Sequence, residues 1–277
     1  MQSFVSYHKF TRRPRSLRSG EVAFFTKKSL VRRRDETAII LSLITNRRLF
    51  GEIFFRLDAT FFFQMRPESG VFIRPIVPTH AIVSGCNWPS DIDLLIIPYE
   101  NDRLLLHRTV AIEVKIIRAS FLKQGKSPNE FGFSQAEGLR NLGFPYTAVA
   151  HFIVSDKGPP SSWTTTSVFR VLDEAGNVEA LPNQLADMMP SRLLQRSFGR
   201  LVSRCTDKNT GLIAAYIGSD DEDIAGMRED KCLWMPQVRK SKFNKHCSSF
   251  LLENVAIDFD RNYELYFDNP RFDPPSS

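Results

Sequence analysis

From Arg47 to Phe62 the apolar residues Leu49, Phe50, Ile53, Phe54, Leu57 and Phe61 recur at three- and four-residue steps, one stripe of a helix with Glu52 beside it. Val71 to Val83 is rich in β-formers but interrupted by Pro75 and Pro78, and reads as an edge strand or irregular extended chain. Asp91 to Ile97 and Thr109 to Ile117 are strand patterns. The turn Pro98 to Arg103 lies between them and Leu104 to Leu106 begins the return, so the pair predicts a β-hairpin. A loop with two glycines and Pro128 follows, residues 118–132. Ser134 to Leu142 then reads as a helix capped by Ser134, with Glu137 as its capping-box partner and Gly143 as its end. Thr147 to Val154 has the composition of a strand buried on both faces.

Beyond Asp156 the signals weaken. Residues 156–166 are loop-like, Gln184 to Val202 holds one or two helical runs broken by Pro190, and Asp268 to Ser277, with three prolines, reads as disordered. The chain therefore divides into an N-terminal stretch 1–35, a core 36–160 and an extension 161–277, with no internal repeat.

Charge changes the picture at the N-terminus. Residues 1–35 carry ten Lys or Arg against Glu21 and Asp35, more than the whole net charge of +6, which leaves −2 for the rest. That stretch is a solvated basic arm, a phosphate-gripping arm or a targeting segment rich in Arg and poor in acid. It lacks the apolar centre of a secretory signal. No run approaches the ~18–20 apolar residues of a membrane helix, so no membrane partner is expected. With 42% apolar residues and 23 Phe the chain has ample surface to bury, which excludes a mostly disordered protein. The four cysteines, Cys86, Cys205, Cys232 and Cys247, are widely spaced with no C-x-x-C pair, which favours a reducing compartment and a cytoplasmic location.

The informative residues are ionisable ones in apolar strands. By strand alternation Glu113 and Lys115 share one face while Ile112, Val114 and Ile116 share the other, and Asp91 and Asp93 likewise share a face. Burying such charges costs several kcal/mol, roughly, unless they are paired or metal-bound. With the turn near Asn101 to Arg103, position 93 falls opposite 110 to 113, making Asp93 and Glu113 direct or diagonal neighbours. Two carboxylates beside a strand carbonyl suit Mg²⁺. A plain cross-strand salt bridge through Lys115 is the competing structural explanation.

The succession Asp91-Ile-Asp93, Glu113-Val-Lys115, helix, strand resembles the PD-(D/E)XK nuclease superfamily, in its lambda-exonuclease and resolvase-like branch. The resemblance implies a restriction-endonuclease-like αβββαβ core, an α/β fold with a mixed central sheet flanked by helices, here over residues 47–154, with the extension adding further α/β structure. It implies a nuclease dependent on Mg²⁺, with Mn²⁺ substituting, that acts on nucleic acid, most directly DNA. Asp93 and Glu113 match the metal-binding carboxylates and Lys115 the E-x-K lysine. Gln135 matches the glutamine that opens the next helix, with Leu139 where relatives carry an aromatic, and Glu52, with Glu36 as its competitor, matches the acidic residue of the first helix. Pro89-Ser-Asp91 departs from the Pro-Asp dipeptide of the name. Arg118, Lys123 and Lys126, just after the E-x-K strand, are candidate phosphate contacts. The alternative function is an inactive nucleic-acid-binding or scaffolding module on the same fold. Residues 161–277 are the candidate surface for a homodimer or a protein partner.

Overall fold

The computed structural model describes residues 7–16, 36–58, 65–66, 68–83, 91–219 and 235–271. Six helices are described: Glu36–Thr45 (α1), Arg47–Leu57 (α2), the single turn Thr79–Ile82 (α3), Phe133–Leu142 (α4), Met189–Arg204 (α5) and Ser249–Asn262 (α6). The strands are Tyr7–Lys9 (β1), Arg15–Ser16 (β2), Ser69–Val77 (β3), Ile92–Glu100 (β4), Arg103–Leu105 (β5), Val110–Arg118 (β6), Tyr146–Ser155 (β7), Thr164–Val171 (β8), Val178–Ala186 (β9), Gly211–Ser219 (β10), Gln237–Arg239 (β11) and Phe267–Pro270 (β12).

Ten of these strands form one mixed sheet in the order β11-β10-β7-β6-β4-β3-β12-β2, with β5 on the end of β4 and β1 on β5. The parallel pairs are β6 with β7 and β7 with β10, while β4 is antiparallel to both β3 and β6. The class is α/β. Strand alternation sorts the core into two faces. Ile112, Val114, Ala148, Ala150 and Phe152 pack under α1 and α2, whose stripe Leu49, Phe50, Ile53, Phe54 and Leu57 is buried as its spacing requires. Each such side chain contributes about 1.5–3 kcal/mol. The stripe ends with α2 at Asp58, and Phe61 lies outside the described residues.

The opposite face carries two apolar clusters. One gathers Leu95, Ile97, Ala111 and Leu139 with Leu252, Val255 and Phe259 of α6. The other gathers Ile117, Ala136, Val149 and Ile153 with Leu193, Leu194 and Leu201 of α5. Helix α4 bridges them, giving Leu139 to the first and Ala136 to the second.

Several expectations are corrected. β3 is not an edge strand over its first half: β12, from the far end of the chain, pairs with Gly70 to Ile73. The missing N–H of Pro75 is tolerated because it lies past the end of β12 and faces only Leu94. The same pairing places Asp268 to Pro270 of the expected disordered tail in the sheet. Tyr7–Lys9 and Arg15–Ser16 of the basic stretch also join the sheet, and between them Phe10 is buried and Arg13 donates to Asp268 and to the Tyr99 hydroxyl. Pro190 opens α5 instead of breaking it, since a proline in the first turn removes no helical hydrogen bond. Residues 161–277 supply β10, β11, β12, α5 and α6 to the central layers, and among the described residues only the β8–β9 hairpin forms a sheet of its own.

Candidate active site

The antiparallel ladder between β4 and β6 pairs Leu95 with Ala111 and Leu94 with Ile112. One step further along the same register Asp93 faces Glu113. The turn positions reach this register by an inserted piece: Tyr99 pairs with Leu104 of β5, and the tight turn Leu106–Arg108 takes up the extra residues before β6 begins. Asp93 Oδ2 accepts a 2.7 Å hydrogen bond from the backbone N–H of Val114, so its carboxylate lies against β6 beside Glu113. On the other flank Ile76, between the Pro75–Leu94 and Val77–Ile92 pairs, has φ 49°. A β-branched residue rarely adopts that left-handed conformation, and it distorts β3 at the level of Asp93.

Glu113 sits in the seam between the two apolar clusters, its side chain 4% exposed, and Lys115, 21% exposed, donates from Nζ to Glu113 Oε1 at 2.7 Å. Gly132 lies over them. It has φ 84°, and a Cβ there would stand 2.9 Å from Glu113 Cγ and 3.5 Å from Lys115 Cε. Only glycine meets both the left-handed backbone and the close approach. This corrects the expected cap of α4: Gly132, not Ser134, is the N-cap, and no side chain caps the helix. Gly132 thus lies both against Glu113 and at the start of the helix. Gln135 follows one helical turn after Gly132. It is half-buried, and its Oε1 is buried without a hydrogen-bond partner.

The remaining candidates fall elsewhere. Glu52 is on α2, which packs on the opposite face of the sheet, and it pairs with Arg56 one turn on at 3.4 Å. Arg118 ends β6 on the Ile116 side by alternation, also away from Glu113. Lys123 and Lys126 are exposed in the loop leading to Gly132, and Asp91 is exposed ahead of β4. Cys205 and Cys247 are free thiols, and Cys86 and Cys232 lie outside the described residues.

The structure adds a residue that the sequence reading passed over. His151 pairs directly with Lys115 across β6 and β7 and is 1% exposed. Burial pushes its imidazole down to about 4; the Phe131 carbonyl works against that shift and the Lys115 charge adds to it. Its Nε2 is 3.3 Å from the Phe131 carbonyl and its Nδ1 3.4 Å from the Ser197 hydroxyl of α5. Those partners assign the proton to Nε2, which donates to Phe131 while Nδ1 accepts from Ser197. A single His among the apolar residues of Thr147 to Val154 was the available signal.

Asp93 and Glu113 fit the donor chemistry of Mg²⁺ or Mn²⁺: hard oxygen ligands at one level, in a site where one or two carboxylates suffice beside water and phosphate. The unpartnered Gln135 Oε1 is a further oxygen in the helix that covers them. Among the described residues no group of three His, Cys, Asp or Glu side chains comes together as a metal cage. No helix among them is long and apolar enough to cross a membrane.

Comparison with models of protein families, with characterised proteins and with solved structures yields no match to this chain.

Proposed function

We propose that this chain is a divalent-metal-dependent phosphodiesterase acting on nucleic acid, most directly DNA, with a restriction-endonuclease-like core and a cytoplasmic location. The observation that carries the reading is the juxtaposition of Asp93 and Glu113 on neighbouring strands, with Lys115 Nζ 2.7 Å from the Glu113 carboxylate. The element order supports it: α2, the antiparallel strands β3, β4 and β6, then α4 and β7, follows the αβββαβ succession. The free thiols Cys205 and Cys247 suit a reducing compartment.

Asp93 and Glu113 are the residues to hold Mg²⁺. Bound there, the ion supplies charge neutralisation at the phosphate and a more acidic water. Lys115 carries three N–H donors on a flexible stem, and it turns them from Glu113 toward a phosphate oxygen or the attacking water. Gln135 Oε1, an acceptor with no partner, orients that water or the Lys115 ammonium. In the hydrolysis the water oxygen bonds to phosphorus, the ester P–O bond breaks toward the leaving sugar oxygen, and a water proton ends on that oxygen. Gly132 packs against Glu113, and the neutral His151 packs beside Lys115 from β7. Lys123 and Lys126 are placed to meet the flanking phosphates.

The test is cleavage of labelled single- and double-stranded DNA with Mg²⁺, Mn²⁺ or EDTA, comparing wild type with Lys115→Ala. Metal-dependent cleavage lost in a folded Lys115→Ala variant is the expected result. Equal cleavage by both proteins sinks the assignment. DNA binding without cleavage by either moves the function to a non-catalytic nucleic-acid-binding module.

A further inference from the structure

Helix α5 carries Arg192, Arg196, Arg200 and Arg204, four residues apart, and no acidic residue. Side chains at that spacing line up along one side of a helix, here over about 18 Å. Arg196, Arg200 and Arg204 face the loop 119–132, and Arg192 faces the start of β8. Arg192 Nη2 donates to Thr164 Oγ1 at 3.4 Å, Arg196 Nη1 to the Gln124 carbonyl at 2.8 Å, and Arg200 Nη1 to the Lys126 carbonyl at 2.8 Å. The Arg204 guanidinium lies 4.7 Å from the centre of the Phe131 ring. Each guanidinium has five N–H donors, so these contacts leave most of them open to an anion.

The charge is concentrated here to an unusual degree. The loop 119–132 and helix α5 together hold six cations, Lys123, Lys126 and the four arginines, and one acid, Glu130, whereas residues 36–277 as a whole sum to −2. Among the described residues none of the four arginines pairs with a carboxylate. A row of unpaired like charges repels itself, so it lowers stability unless a polyanion neutralises it. The row is also wired to the candidate site. Ser197, on the same helix, touches His151, the direct neighbour of Lys115, and the loop that the arginines hold ends in Phe131 and Gly132, over Glu113.

We propose that the Arg192–Arg204 row with Lys123 and Lys126 is a binding track for the sugar-phosphate backbone of nucleic acid, which it lays across Lys115. The inference rests on the phosphodiesterase reading for its choice of nucleic acid over other polyanions. Arginine's planar fork matches two phosphate oxygens at once. The track reads no base, so binding is independent of sequence and strongly dependent on salt. It also gives part of the 161–277 extension a role: it carries the grip while the core carries the chemistry.

The experiment is fluorescence anisotropy of labelled duplex DNA with the full chain in EDTA, over a KCl series, with thermal melts as fold controls. The variants are Arg192→Gln, Lys123→Gln/Lys126→Gln and Arg192→Gln/Arg196→Gln/Arg200→Gln. Each cation removed is expected to reduce the slope of log affinity against log salt by about 0.9, with binding about eightfold weaker at 0.1 M KCl and curves converging near 1 M. Arg196 and Arg200 also anchor the loop, so the first two variants, which leave those anchors in place, decide the matter if the triple variant fails to fold. Wild-type slopes in both folded variants overturn the inference. So does a preference for phosphatidylserine vesicles over DNA in the same salt. Cleavage by wild type with unchanged slopes in the variants defeats the track alone, and track-dependent binding with no cleavage in any metal defeats the catalytic reading alone.

Discussion

Lys115 Nζ stands 2.7 Å from Glu113 Oε1, and the glutamate side of this pair is nearly inaccessible to water while the lysine side is partly open. Truncating the lysine leaves a buried carboxylate without its counter-charge. Lys115→Ala is therefore expected to cost about 1–3 kcal/mol of stability besides its effect on cleavage. Adding Glu113→Gln should return part of that loss, because the stranded charge is gone. Urea denaturation of the two single variants and the double variant measures the coupling, and additive losses would show that the two groups do not interact.

Gly132→Ala places a methyl 2.9 Å from Glu113 Cγ at a left-handed backbone position. Strain of that backbone is worth about 1–2 kcal/mol for a non-glycine residue, before the clash is counted. A melting temperature lower by several degrees and a loss of cleavage are expected together. A variant with the wild-type melt would mean that the cover over Glu113 yields freely.

His151 makes stability depend on pH. The folded-state imidazole sits at about 4 against an ordinary 6.5, so the unfolded chain takes up the proton more readily between those values. The stability due to neutral His151 is complete above about pH 6.5 and is lost as pH falls toward 4, on the order of 3 kcal/mol in all. The groups facing the ring are the Lys115 ammonium, the Phe131 carbonyl and ring, and the Ser197 hydroxyl. In His151→Gln the slope of stability against pH between 5 and 6.5 should flatten relative to wild type, measured by denaturant titration at each pH. An unchanged slope would assign the pH dependence to other groups.

Arg74 on β3 and Asp258 on α6 form an ion pair buried on both sides, and Asp258 also accepts from the Tyr266 hydroxyl at 2.7 Å and from Asn262 Nδ2 at 3.0 Å. The pair fastens α6 to the sheet. Arg74→Met should cost about 3–5 kcal/mol, because it leaves the Asp258 charge buried with only neutral partners. Replacing both residues by apolar ones of similar size should cost much less. Equal losses for the single and double variants would contradict this account.

Much of the candidate site was legible before any coordinates. Alternation within Asp91 to Ile97 and Thr109 to Ile117 put Asp93 on one face of its strand and Glu113 with Lys115 on one face of the next, because side-chain direction in a strand is set residue by residue. The turn between them bounded the register to a few residues, and the observed register falls inside that bound. The stripe of α2 and the end of α4 at Gly143 are likewise local, one a matter of helical period and the other of a glycine C-cap.

What the chain could not declare locally were the long-range pairings. That β12 covers the first half of β3, and that Gly132 rather than Ser134 begins α4, follow from segments far apart in sequence meeting at one place. His151 and the arginines of α5 were visible as letters, the arginines even at a regular spacing of four. Their relation to Lys115 needed β6 to lie parallel to β7 and α5 to pack on the same face as α4. Period and propensity act over a few residues, so the sequence by itself determined which residues share a strand face or a helix stripe. Which faces then meet depends on how the whole apolar surface is buried at once, and only the tertiary structure decided that Glu113 lies under Gly132 and that the arginine-lined helix α5 reaches His151, the neighbour of Lys115.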